Sequence, residues 1–285
     1  QLLALRGAVE RALARVGLPR VPIADVLPSP RIWHYRNKMD FTFGSRRWIE
    51  ADEGAGVDAS FALGLHVAGR YQKVLDIRSC LLHFEEADGI LASARMLARG
   101  AGLLPWDVER HCGLLRHLVL RKGFRTGEIL VALVTSEEAP ELVRPYLRDL
   151  HRSHPEISTS VQMIHARAAA VAMGERELVH HGAGVIHEEL AGLRYAISAG
   201  SFFQTNTEQA EALLAVVAEE VGPMLGRVVW DLYCGAGTIA LYLAREGARV
   251  FGMESVASAV ADARANALEN RVAGVEFELG EVERD

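Results

Sequence analysis

Cysteine is scarce: three residues, Cys80, Cys112 and Cys234, are spread far apart over 285 positions. An odd, scattered set argues against a disulfide framework and for a reducing compartment, so the expected location is the cytoplasm. No apolar run approaches the length that crosses a bilayer, and no basic segment leads into an apolar one at the start. Neither a transmembrane helix nor a secretory signal is expected. Positive charge is not in excess, with 31 Lys and Arg against 37 Asp and Glu and a formal charge of −6. Bulk charge therefore gives no reason to expect a nucleic-acid partner, which would need a local basic patch. Internal repeats and low-complexity tracts are missing too. What remains is half hydrophobic and 24% charged, the balance of a folded globular chain with room for one large domain or two ordinary ones. The chain opens QLLALRG without Met and stops at GEVERD; both ends read as cuts.

Two rhythms divide the chain. In YRNKMDFTFG, Tyr35, Met39, Phe41 and Phe43 alternate with Arg36, Lys38, Asp40 and Thr42, the period of a strand with one oily and one charged face. The Arg-Lys face is either a hold on something anionic or the wet side of an ordinary strand. FALGLH alternates again and can pair with it; HLVLRKGFRTGEILVALVT reads as a hairpin turning between Gly123 and Gly127. Helices are expected over 1–17, 84–99 and 141–153, and a strand near 158–164. Residues 1–195 thus mix helices and strands without a βαβ order, as an α+β domain does. From 196 the order becomes helix, strand VVWDL, a glycine loop, helix, strand ARVFGM, helix and strand VEFEL, which is α/β of the doubly wound kind. Val228, Val229, Trp230 and Leu232 are read as a buried parallel strand.

DLYCGAGTIALYLA carries the chemistry. Gly235 and Gly237 permit a tight turn and close ligand approach, and the helix from about Thr238 points its positive end there. Glu254 ends the next strand 19 positions on (254 − 235), where a carboxylate can accept both ribose hydroxyls of an adenosine. That suits NAD as well as S-adenosylmethionine. Asp231 tips the choice, since a carboxylate before the loop repels a pyrophosphate and suits the cationic end of S-adenosylmethionine.

YRNKMDFTFG, LGLHVAGRYQKVLDIRSCLL, SAGSFFQTNTEQAE and DLYCGAGTIALYLA, in that order, resemble the RNA uracil-5-methyltransferases that make 5-methyluridine in ribosomal and transfer RNA. The resemblance covers nearly the whole chain. It implies a central RNA-binding α+β domain over 1–195, then over 196–285 the first part of an incomplete, Rossmann-like methyltransferase domain. It implies S-adenosylmethionine contacts for Gln204, Tyr233 and Thr238, with Glu254 as the ribose acid, beside Gly235, Gly237 and Asp231, which the loop itself already marks for the donor. Glu281 stands where the family usually has Asp or Asn beside the adenine. Gln204 and Asn206 have a second reading in helix capping, with Thr205 and Glu208 as a capping box.

The same resemblance makes Arg36, Lys38, His66 and Arg70 candidates for RNA contacts, against the plainer reading of a solvated strand face. Cys80 matches the last of four cysteines that bind a [4Fe–4S] cluster in many members, which leans the substrate towards ribosomal RNA. The other three, with the TRAM region, are expected upstream of Gln1; alone, Cys80 is a buried apolar residue. His180, His181 and His187 read as solvated loop histidines rather than a metal site.

Carbon-5 of uracil is a poor nucleophile. The family adds a cysteine thiolate to carbon-6, transfers the methyl group and then removes the carbon-5 proton. Its nucleophile and base follow a DPPR-like element expected beyond Asp285, so no catalytic residue is assigned within 1–285 and the segment alone is expected not to turn over. The intact protein is expected to be a monomeric, RNA-modifying enzyme. The alternatives are an NAD-dependent oxidoreductase using the glycine loop and a non-catalytic RNA-binding module.

Overall fold

The computed structural model describes residues 1–18, 21–54, 56–167 and 174–282. They fall into two compact units, Gln1–Ile32 and Trp33–Asp285. The first holds α1 (Leu2–Arg15), on which no residue is buried and Arg6 pairs with Glu10 one turn on at 3.1 Å.

In the second unit the strand read in YRNKMDFTFG is β1 (Lys38–Gly44), with Met39, Phe41 and Phe43 buried and Asp40 exposed. It belongs to an eight-stranded mixed sheet. The chain adds β2 (Arg47–Trp48), β3 (Ala62–Val67), β4 (Arg70–Asp76), α2 (Glu86–Gly100), β5 (Leu115–Lys122), β6 (Ile129–Thr135), α3 (Pro140–Ser153), β7 (Ile157–Ile164) and β8 (Arg176–His181). The spatial order is β2-β4-β3-β1-β5-β6-β7-β8. FALGLH pairs antiparallel with β1 as its alternation predicts, Thr42 facing Gly64. The expected hairpin is β5–β6, closed by Gly127 N–H donating to the Gly123 carbonyl at 2.8 Å.

The two faces of this sheet feed different cores. Met39, Phe41, Phe43, Leu118, Leu120, Val131 and Leu133 pack against Ile90, Leu91 and Ala94 of α2 and Val143, Tyr146 and Leu150 of α3. Each fully buried Leu or Phe there contributes roughly 1.5–3 kcal/mol relative to exposure. On the other face Val119, Leu130, Ala132, Val134, Val161 and Met163 join a second cluster. That cluster draws in the hairpin β9 (Val185–Leu190) and β10 (Leu193–Ser198), helix α4 (Thr207–Val221), and the α/β segment that follows. The expected boundary near residue 195 thus falls inside a shared apolar cluster.

The α/β segment runs β11 (Val228–Leu232), α5 (Thr238–Arg245), β12 (Arg249–Glu254), α6 (Ala257–Glu269) and β13 (Val275–Leu279). Its three strands are parallel, in the order β11-β12-β13. One expectation fails here: β11 is not buried, since Val228 is 59%, Trp230 61% and Leu232 47% exposed. Leu241, Leu243, Val260 and Ala263 of α5 and α6 cluster with Val250 and Phe277, which lie on one face of these strands. On the other face the Trp230 ring stacks on Phe251 at 5.0 Å, and no described helix covers it. The capping reading holds at Asn206, which caps α4 with its side chain accepting from Gln209 N–H at 3.0 Å; the cap is thus Asn206 rather than Thr205 of the expected box.

Candidate functional site

The glycine loop leaves β11 through Tyr233, a non-glycine residue at φ 66°, and passes Gly235 (φ 55°) and Gly237 (φ 82°) into α5. The two glycines serve different ends. A Cβ at Gly237 would lie 2.7 Å from Phe277 Cζ and 3.2 Å from Ala263 Cβ, so only glycine lets the loop pack this closely on β13 and α6. A Cβ at Gly235 would meet nothing within 4 Å; this glycine faces open space.

Two carboxylates shape the loop. Asp231 Oδ2 accepts the Ala240 N–H at 3.0 Å, and burial pushes its carboxyl up to about 6, although that hydrogen bond works in the opposite direction. Glu254 braces the loop, accepting Gly235 N–H at 3.1 Å on one oxygen and Val256 N–H at 2.9 Å on the other. Between them the buried Cys234 thiol is pushed up to about 12, by burial first and then by the charges of Asp231 and Glu254. Such a thiol is a poor nucleophile.

A crevice of about 120 Å³ lies against this loop, lined by Phe202, Gln204, Asp231, Tyr233, Gly235 and Thr238 among others. Five of the eight sequence-predicted donor residues, Gln204, Asp231, Tyr233, Gly235 and Thr238, therefore form part of its wall, and three do not. Gly237 turns towards Phe277, Glu254 is engaged with loop backbone, and Glu281 lies exposed just past the Gly280 N–H that donates to the Glu254 carbonyl at 3.1 Å. The open space at Gly235, a mostly buried acid and a helix N-terminus are the surroundings a compact cation attached to an adenosine requires, so the residues present fit S-adenosylmethionine.

A second cavity, about 300 Å³, shares Phe202 and Phe203 with the first and is lined by Arg36, Lys38, Asp40 and Arg121. Lys38 Nζ sits 3.0 Å from Asp40 Oδ2, and Arg36 Nε donates to the Lys38 carbonyl at 3.4 Å. The other two predicted RNA residues stand outside it. His66 Nε2 is 3.3 Å from Thr42 Oγ1, and the Arg70 guanidinium lies 5.2 Å over the Trp48 ring.

Several residues that sequence reading passed over hold the two cavities together. Asn37, 5% exposed, donates from Nδ2 to the Gln204 carbonyl at 2.8 Å and to Thr207 Oγ1 at 3.1 Å, and from its backbone to the Thr205 carbonyl at 2.8 Å. Thr207 Oγ1 in turn donates to the wholly buried Glu188 at 2.8 Å. Arg121 faces Lys38 across the β1–β5 pair, donates to the Ser201 carbonyl, and is lowered by burial to about 10. Its buried Nε has no partner among the described residues. Asn266, fully buried in α6, donates to the Ala236 carbonyl at 3.1 Å and accepts Ala196 N–H at 3.0 Å. Only Arg121 left a trace in the sequence, as a charge inside the apolar run HLVLRKG.

Cys80 is half-buried, its N–H donating to Asp88 at 3.1 Å, and among the described residues no three His, Cys, Asp or Glu side chains gather as metal ligands. One thiolate does not fit a [4Fe–4S] cluster. The reading of His180, His181 and His187 as loop histidines needs correction: the first two end β8 and the third lies on β9, because Gly182 and Gly184 form the turn between two strands. Among the described residues no helix is long and apolar enough to cross a membrane.

Comparison with known proteins decides the family. The profile described as tRNA (uracil-5-)-methyltransferase matches residues 117–279. The chain belongs to this family. Among its relatives within and around the family, a Halalkalibacterium halodurans protein named as an uncharacterized RNA methyltransferase is 34% identical over 97% of this chain and 58% of its own. One of the same description from Chlorobaculum tepidum is 39% identical over 92% of this chain and 55% of its own. The crystal structure of Pyrococcus abyssi tRNA (uracil-54, C5)-methyltransferase in complex with S-adenosyl-L-homocysteine aligns with a TM-score of 0.76 and 28% identity, covering 98% of this chain and 62% of that one. The chain thus spans between 55% and 62% of the length of these relatives.

Proposed function

We propose that the intact protein methylates carbon-5 of a uridine in RNA with S-adenosylmethionine as donor. The observation that carries this is the adjacency of two cavities of different character. The acid-bearing crevice at the glycine loop and the basic cavity at Arg36, Lys38 and Arg121 share Phe202 and Phe203. Asn37 ties the strand that supplies the basic side to the loop that carries Gln204. A donor in the first cavity and a splayed base in the second would have their reacting carbons brought together, the proximity a two-substrate transfer needs.

The roles divide accordingly. Residues up to about 195 contribute the RNA-facing strand, with Arg36 and Lys38 engaging phosphate or base edges and His66 and Arg70 lying further along the same sheet. Residues from 196 contribute the donor site. Asp231 faces the cationic end of the donor, Tyr233, Gly235 and Thr238 form its wall, Gln204 closes the crevice, and Glu254 holds the loop in shape. When bound, the donor supplies an electrophilic methyl group. The thiolate step at carbon-6 is assigned to no cysteine of this chain: Cys234 is buried with its thiol held protonated, and Cys80 and Cys112 line neither cavity. The Cys80 match favours ribosomal RNA, the tRNA-methylating relative favours transfer RNA, and one assay separates them.

That assay incubates the intact protein with methyl-labelled S-adenosylmethionine and either RNA, then digests to nucleosides. Label in 5-methyluridine is the expected result. Label confined to another base, or an unlabelled uridine pool with active donor turnover, contradicts the proposal.

A further inference from the structure

A groove with a built polar lining lies away from the donor loop. It lies where α3 crosses β7 and β8, measures about 550 Å³, and is walled by Arg144, Arg148 and His151 from the helix and Ser160, His180 and His181 from the strands. That volume is in the range of roughly 300–1,000 Å³ that holds small organic ligands, too large for a bare ion. Val161 and Met163, which alternate with Ser160 and Gln162 along β7, point to the opposite face and join the cluster containing Phe203 and Leu241. The groove is therefore on the side of the sheet away from the donor crevice, and whatever fills it is not the reacting base.

Its charge is positive. Arg144 and Arg148 are one helical turn apart, and Arg144 has no ion pair among the described residues. Glu138, which also lines the groove, is held by Arg176 at 2.9 Å. Arg148, unlike Arg144, is paired: its Nε binds Asp149 at 2.9 Å, which leaves its Nη groups to offer. Its buried polar atoms are unsatisfied. Ser160, 3% exposed, has no partner for Oγ among the described residues, and neither has His151 Nδ1. Buried polar atoms without partners are costly, and a ligand that bonds them removes the cost. Beside them the His151 and His181 rings lie 3.8 Å apart at 36°, a plate on which a nucleobase can stack. A metal is the wrong occupant, because the arginines repel a cation. His180 is lowered by burial and by Arg144, and its Nε2 is engaged with Gln162 Oε1 at 3.2 Å.

We propose that this groove binds one nucleotide, its phosphate on Arg144 and Arg148, its base against the His151–His181 pair and hydrogen-bonded to Ser160 Oγ and His151 Nδ1. The nucleotide has two sources, a free mononucleotide or one residue of an RNA strand. The second rests on the RNA-methyltransferase reading; the site itself does not.

The test titrates the intact protein with uridine 5′-monophosphate, with unphosphorylated uridine, and with a short RNA, reading the imidazole resonances of His151 and His181. The variants are Arg144→Ala and Arg148→Ala, both exposed on α3. The mononucleotide is expected to shift both rings, uridine to bind at least fivefold more weakly, and each variant to lose at least fivefold in mononucleotide affinity with S-adenosylhomocysteine affinity unchanged. If RNA is the source, each variant also lowers the slope of log affinity against log salt by about one. RNA binding that both variants leave untouched, with mononucleotide binding lost, assigns the site to a free nucleotide and overturns the RNA source. Unmoved rings with every ligand, or shifts that survive both variants, overturn the proposal, whether or not the protein methylates RNA.

Discussion

Asp231→Asn is expected to weaken S-adenosylmethionine binding about 10- to 100-fold at pH 7.5 and to abolish its pH dependence. The carboxyl is mostly buried, and burial raises it to about 6. A cationic donor placed against it favours the carboxylate, so donor affinity should rise as pH climbs through 6 and level off above it. The amide keeps the shape and cannot ionise; the loss is that of a charge-assisted contact, roughly 1.5–3 kcal/mol. Folding stability measured without added donor should move the other way. The folded-state value lies above the roughly 3.9 of an unfolded Asp, so the folded protein holds the proton more tightly. The stability this group contributes is complete below about pH 4 and is lost as pH rises through 6, by up to about 3 kcal/mol. Denaturation midpoints and donor titrations at pH 5, 6 and 7.5 on both forms check this. A wild-type affinity that is flat across the range contradicts the role given to Asp231.

Glu188→Ala is expected to cost about 3–5 kcal/mol and to lower the thermal midpoint by roughly 10 °C, measured by calorimetry or circular dichroism. Glu188 is fully buried, and its two oxygens accept N–H groups from Phe124 at 2.8 Å, Arg125 at 2.9 Å and Glu189 at 3.0 Å, besides the Thr207 hydroxyl. Removing the carboxylate leaves these donors without an acceptor in a space closed to water. The damage should reach function. Glu188 holds the β5–β6 turn and Thr207 at the start of α4, and Thr207 with Asn37 fixes the backbone that carries Gln204. Donor affinity is therefore expected to fall even at temperatures where the variant is folded. Glu189→Ala, on the exposed side of the same strand, is the control and should stay within about 0.5 kcal/mol of wild type. Equal midpoints for the two variants would overturn this account of the junction.

How much of this was legible from residues alone follows from the range of the forces involved. The alternation in YRNKMDFTFG, the β5–β6 hairpin and the strand–glycine–helix order around Gly235 are patterns within a dozen neighbouring residues, and the structure bears them out. Asn37, Glu188 and Asn266 were invisible because each is a single polar residue in an ordinary setting. Their meaning comes from partners such as Gln204, Phe124 and Ala196, far away in the chain. Val228, Trp230 and Leu232 misled in the opposite sense. Apolar residues on both sides of a parallel strand imply cover on both faces, and in the described residues the helices cover one. His180 and His181 looked like loop because Gly182 and Gly184 follow them, yet two glycines at positive φ are also what a tight turn between paired strands requires.

The central claim is that the crevice at Asp231, Tyr233, Gly235 and Gln204 takes a sulfonium methyl donor rather than a dinucleotide. Isothermal titration of the intact, folded protein with S-adenosylhomocysteine and, separately, with NAD tests it most directly. The account predicts one-site binding of S-adenosylhomocysteine in the micromolar range and no heat with NAD. Saturable NAD binding at that crevice, or no binding of S-adenosylhomocysteine by the folded protein, would contradict it.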